Sequence, residues 1–260
     1  MNNETQREGI HVQFIQPSLL STALLSLLVV SNGVSAASQT YSVTLNSSRV
    51  IYKETQSSGT TITVKNEHDF PVLIQPSVVT EDKQMLAPFI ITPPLFRLDG
   101  KQDNTLRIVY TGKAHAADRE HLYWLCVKAI PPVSEDDSGT GNNNAVGSNI
   151  QISVNNCIKL LYRPKALGTQ DQGSLAKGLN WEWREGKLQL KNMSPYYINL
   201  SSIMIDGFVV PDVSYVSPFS SAQFSVPKGA KVGGKVTWQS INDFGGQSTP
   251  VQALTPSDKR

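Results

Sequence analysis

The stretch SNIQISVNNCIKLLYRP, residues 148–164, decides how this chain is read. In its first half Ile150, Ile152 and Val154 alternate with Gln151, Ser153 and Asn155, the period of a β-strand with one apolar face. That row fits an internal strand facing a core, or a strand at a sheet edge. An apolar edge without proline or charge, as between Asn149 and Asn156, recruits other chains. In the second half Lys159 interrupts an apolar run, Ile158-Lys159-Leu160-Leu161. An unpaired buried ammonium is costly, so this lysine either reaches solvent or meets an anion.

The surroundings are built from similar short pieces. Tyr41-Ser42-Val43-Thr44-Leu45, Thr61-Ile62-Thr63-Val64-Lys65 and Thr105-Leu106-Arg107-Ile108-Val109 alternate. Turn formers such as Ser57-Ser58-Gly59 and Leu98-Asp99-Gly100 separate the strand signals. No long stretch carries a helical period, and 15 prolines and 18 glycines punctuate the chain. This pattern predicts an all-β protein of sandwich type. Residues 131–148, PPVSEDDSGTGNNNAVGS, are polar and read as a long loop. Strand signals resume after Arg163-Pro164, which places a domain boundary there, with one sandwich-sized piece on each side.

Residues 19–30, LLSTALLSLLVV, followed by Val34-Ser35-Ala36, read as a signal peptide cut after Ala36. Its leading segment departs from the usual pattern, with Glu4 and Glu8 beside Arg7; a true start further along would explain that. The apolar stretch is short for a membrane span, so an uncleaved anchor is the lesser reading. An exported chain with two cysteines, Cys126 and Cys157, most simply holds one disulfide; two buried thiols are the alternative. A net charge of +2 and the lack of like-charge blocks give no support to nucleic acid as a partner. His11, His68, His115 and His121 show no metal-ligand spacing, and no nucleophile, phosphate or dinucleotide fingerprint occurs. No metal, cofactor or enzymatic activity is expected.

Arg49, in Asn46-Ser47-Ser48-Arg49-Val50-Ile51-Tyr52, raises the same question as Lys159 near the other end of the first domain. Two cations brought together without an acidic partner would make a carboxylate site, the arginine as a planar fork and the lysine as a point charge.

Longer motifs then fall into place: SRVIY (48–52), DFPVLIQ (69–75), APFIITPPLFRL (87–98), LYWLCVKAIPP (122–132), NCIKLLYRP (156–164) and INDFGG (241–246). Together they resemble the periplasmic chaperones of the chaperone–usher pathway, in the branch with a long loop between strands F1 and G1. The resemblance implies two immunoglobulin-like β-sandwich domains in an L or boomerang with a cleft between them. The expected layout is a signal peptide over 1–36, a first domain over 37–163 and a second over 164–260. It implies that Arg49 and Lys159 anchor a fibre subunit's C-terminal carboxylate, and that Ile150, Ile152 and Val154, extended to Val146, form a donor strand. It further implies that Tyr41, Val43 and Leu45 line an N-terminal subunit-binding strand, and that Glu120, Arg163 and Asp243 form a charge cluster setting the interdomain angle. The partners would be fimbrial or non-fimbrial adhesin subunits and an outer-membrane usher, met in the periplasm without stable membrane insertion. Self-association of the free protein stays open. The competing reading is a secreted immunoglobulin-like adhesin or fibre subunit, and a hydrolase stands third for want of a nucleophile and base.

Overall fold

A computed structural model of the chain describes residues 38–113, 115–132, 150–168, 175, 179–253 and 257–258. The expected signal peptide, Val146 and most of the 131–148 segment lie outside these residues. Among the described residues no helix is long and apolar enough to cross a membrane.

Among the described residues the first domain has eleven strands: β1 (Ser38–Tyr41), β2 (Thr44–Leu45), β3 (Arg49–Lys53), β4 (Thr60–Lys65), β5 (Val72–Thr80), β6 (Phe89–Thr92), β7 (Phe96–Leu98), β8 (Asp103–Tyr110), β9 (His121–Ile130), β10 (Ile150–Ser153) and β11 (Asn155–Arg163). They form a five-stranded sheet, β3-β11-β9-β5-β7, a four-stranded sheet, β2-β4-β8-β6, and the two-stranded pair β1-β10. The two larger sheets enclose a core containing Val50, Tyr52, Ile62, Ile74, Leu106, Ile108, Leu125, Val127, Leu160 and Tyr162. Period-two alternation places them there: along β5, Val72, Ile74 and Val78 are buried while Leu73 and Gln75 are exposed. Gly59 is required where the chain turns into β4. Its φ is +82°, and a Cβ would lie 2.3 Å from the Ile108 carbonyl oxygen.

β11 lies between β3 and β9 in the five-stranded sheet. It runs antiparallel to β9, with Cys157 opposite Cys126 and Lys159 opposite Trp124, and parallel to β3, with Lys159 opposite Arg49. Its even positions Ile158, Leu160 and Tyr162 enter the domain's own core. On the other face, Leu161 joins Leu122 and Tyr197 in a separate apolar cluster. Both faces of the strand are therefore covered, and the apolar run around Lys159 reflects two cores rather than one. Cys126 and Cys157 are joined in a disulfide across this ladder, Cα atoms 4.0 Å apart.

After a short 3₁₀ turn, Lys165–Leu167, the second domain adds β12 (Asn180–Arg184), β13 (Lys187–Lys191), β14 (Ile198–Ile205), β15 (Phe208–Val209), β16 (Tyr215–Val216), β17 (Ser221–Phe224), β18 (Val236–Ser240), β19 (Val251–Gln252) and β20 (Ser257–Asp258). Its sheets, β17-β13-β12-β20 and β15-β14-β18-β19 with β16 beside β14, enclose Trp181, Trp183, Leu188, Leu190, Ile203, Val236 and Trp238. The two sandwiches match the all-β, two-domain expectation.

Candidate functional site

Arg49 opens the strand that pairs in parallel with β11, so the register itself sets its backbone beside that of Lys159. Arg49 is only 6% exposed, and its Nε is buried with no hydrogen-bond partner among the described residues. Burial lowers the guanidinium's pKa, while the negative charge of Asp243 opposes that shift. Lys159 is half-buried; its Nζ donates to Asn199 Oδ1 at 2.7 Å and lies 4.5 Å from the centre of the Tyr215 ring. Burial, and secondarily the Arg49 charge, push the Lys159 ammonium down to about 8. Neither of its two neighbours in the second domain carries a formal negative charge. A carboxylate would meet a fork of donors from one side and a point charge from the other, in a partly desolvated setting where such contacts are strong.

Four residues further along β11, Arg163 is only 2% exposed. Its Nε donates to Glu120 Oε1 at 2.7 Å, and its two terminal nitrogens bind Asp243 at 2.8 and 3.0 Å. Burial opposes the Arg163 charge, but the Asp243 and Glu120 contacts more than offset this and push its pKa up. Glu120 also accepts a hydrogen bond from the Tyr197 amide at 2.9 Å. Burial lifts the Glu120 pKa, with Arg163 and that amide pulling against it. The three charges named in the sequence reading do assemble, and they join the β8–β9 connection, the end of β11 and the turn after β18.

The start of the quoted stretch behaves differently. β10 pairs with β1, the ladder is interrupted at Val154, and Val154 links two partners: its amide donates to the Tyr41 carbonyl and its carbonyl accepts from Ala129. Ile152 is 46% exposed and Val154 is half-buried. Val146 and the Ile150 side chain fall outside what the structure describes. The strand does change neighbours along its length. In the N-terminal strand, Tyr41 and Val43 are buried within the first domain's core and Leu45 packs against it. An alternating strand has two faces, and here the Tyr41 and Val43 side chains are turned inward while Leu45 is half-buried. Thr40 and Thr44 are exposed instead.

Comparison with known proteins decides the assignment. Residues 42–168 match the family described as pili and flagellar-assembly chaperone, PapD N-terminal domain, and residues 174–252 match pili assembly chaperone PapD, C-terminal domain. The chain belongs to the PapD-like pilus-assembly chaperones. It is 43% identical over 221 residues to the chaperone protein caf1M of Yersinia pestis, covering 81% of this chain and 84% of that one. The crystal structure of the Escherichia coli chaperone DraB superposes with a TM-score of 0.73 at 41% identity, over 84% of this chain and 98% of that one. A chain of the Salmonella enterica SafA pilin–SafB chaperone complex gives a TM-score of 0.74 at 37% identity, with the same coverage.

Residues of this chaperone that sequence reasoning missed lie mainly in the second domain. Asn199 and Tyr215 contact Lys159, and the Tyr197 and Tyr215 hydroxyls both donate to the carboxylate of Glu81 at 3.1 Å. Within Tyr196-Tyr197-Ile198-Asn199-Leu200 these positions read only as a strand, and nothing in their spacing points to a distant lysine.

Proposed function

We propose that this protein is a periplasmic chaperone of the chaperone–usher pathway. It takes up fibre or adhesin subunits, completes their fold in trans, blocks premature polymerisation and hands them to an outer-membrane usher. The observation that carries the reading is the course of one segment, residues 150–163. At one end Ile152 stands exposed on an alternating strand, and at the other Lys159 pairs in register with Arg49. A subunit lacking its last strand leaves an apolar groove. The donor strand fills that groove by β-augmentation, of which chaperone–pilin complexes are a known instance. Backbone hydrogen bonds give affinity, while Ile150, Ile152 and Val154, extended to Val146, plug the pockets. Burying three such side chains contributes about 5–8 kcal/mol.

The subunit's C-terminal carboxylate is held by Arg49 and Lys159. Glu120, Arg163 and Asp243 fix the angle between a first domain over 37–163 and a second over 164–260, behind a signal peptide over 1–36. The N-terminal strand contributes through its backbone and through Thr40, since Tyr41 and Val43 serve the core. The SafA–SafB complex supports a pilin as the class of partner. The apolar leader and the disulfide support an oxidising compartment outside the cytoplasm. Binding rather than bond breaking is the work done, and it needs neither a nucleotide nor a cofactor.

The test is co-expression with the small exported β-rich protein encoded beside an usher-like barrel. Arg49→Ala and Lys159→Ala each lose recovery of the subunit from periplasmic extracts while the chaperone remains folded. Equal subunit yield from either variant would remove the anchor assignment.

A further inference from the structure

An ammonium on a four-carbon stem has three donors and little orientation of its own. In this structure Lys159 is not left to rotate. Asn199 Oδ1 takes one donor at 2.7 Å, and the face of the Tyr215 ring stands 4.5 Å from Nζ. Both residues belong to the second domain, where they are register partners between β14 and β16. Asn199 is itself only 4% exposed, and its Nδ2 faces the Tyr197 carbonyl at 3.5 Å, which leaves the oxygen turned to the lysine. Tyr215 is braced in turn, because its hydroxyl donates to Glu81 Oε1 at 3.1 Å while Tyr197 occupies Glu81 Oε2 at the same distance. The Glu81 carboxylate is thus engaged by the two tyrosine hydroxyls.

We propose that Asn199 and Tyr215, braced by Glu81, are positioning residues that complete the carboxylate site from the second domain, so that a subunit's chain end is gripped by both domains together. This rests on the anchor reading given above. The chemistry of the acceptor is what makes the case. An amide oxygen orients an ammonium without neutralising it, so both positive charges stay available to an incoming anion. A carboxylate at position 199 would pair with Lys159 and compete for that place. The buried Arg49 Nε, without a partner among the described residues, is the matching donor on the other side.

The test compares two fluorescein-labelled peptides of alternating valine and threonine, identical except that one ends in a free carboxylate and the other in an amide. The ratio of their affinities isolates the anion contact, since a general loss of fold weakens both alike. Asn199→Ala is expected to lower the acid-over-amide preference about tenfold, as for loss of a hydrogen bond to a charged group. Asn199→Asp, of the same shape, erases the preference. Tyr215→Leu lowers it, and Tyr215→Phe, which keeps the ring, lowers it less. Preserved ratios in both Asn199 variants, alongside a collapse in Lys159→Ala, would overturn this proposal and leave the anchor standing. Equal weakening of both peptides in the Asn199 variants would overturn it too. A ratio untouched by Lys159→Ala would remove the anchor reading and this proposal with it.

Discussion

Lys159 and Arg163 lie on the same strand, four residues apart, and both make contacts to the second domain through their charged ends. Arg163 is met by two carboxylates, at 2.7 and 2.8 Å, and is sealed from solvent. Lys159 is met by an amide oxygen and an aromatic ring, with a second cation beside it in the register. Charge that is neutralised within the fold holds the fold together. Charge that is oriented but left unneutralised is, on the proposed reading, kept for a ligand. One strand carries both kinds, and the local sequence, Lys159-Leu160-Leu161-Tyr162-Arg163, gives no hint of which is which.

This contrast can be broken by mutation, and the largest effect is expected at Arg163. Arg163→Ala leaves Glu120 buried without its cation and should cost about 3–5 kcal/mol in chemical denaturation. If it costs no more than Lys159→Ala, the distinction between the two sites disappears. Loss of the disulfide comes next: Cys126→Ala with Cys157→Ala should lower stability by about 3–4 kcal/mol on a chain-entropy basis, and thiol titration of the native protein should find no reactive sulfur. Lys159→Ala removes a cation that the fold does not neutralise, so its unfolding free energy should stay within about 1 kcal/mol of the parent even as subunit binding is lost. Ile152→Asp, at a half-exposed position, should change stability by less than about 0.5 kcal/mol while impairing complex formation. An unfolded Ile152→Asp protein would make that strand part of the core.

The subtlest test is pH. Lys159 titrates near 8 in the folded protein, held down by burial and by Arg49. The unfolded chain keeps this proton to higher pH, so through this group stability rises as pH climbs from about 8 towards the ordinary lysine range. Affinity for a terminal carboxylate runs the other way and falls as pH passes through about 8. Peptide binding measured on either side of that value, with Lys159→Ala as the reference, separates the two trends.

Much of this was legible beforehand because it depends on local pattern. Alternation in 61–65 and 105–109, the strand signals resuming after Arg163-Pro164 and the two cysteines were enough for a two-domain, disulfide-bridged all-β reading. The side chosen by an alternating strand was not legible. Tyr41 and Val43 look as suited to a partner as Ile152 does, and only packing against Phe70 and the rest of the first core separates them. The meeting of Arg49 with Lys159 comes from parallel pairing between opposite ends of a domain, which no short motif encodes. Asn199 and Tyr215 were invisible for a related reason, because their partner belongs to another domain and their own strand needs them for nothing distinctive.

The bridge between Cys126 and Cys157 lies two positions from the Lys159–Trp124 pair on the same ladder. A slip of one residue there would turn Lys159 into the first core and Leu160 out towards the second domain. With the stitch at that point, residues can be gained or lost between Ile130 and Ile150 while the lysine keeps its place opposite Trp124. On the proposed reading, the connection is thereby free to diversify towards new clients while the grip on their chain ends is insulated from the change.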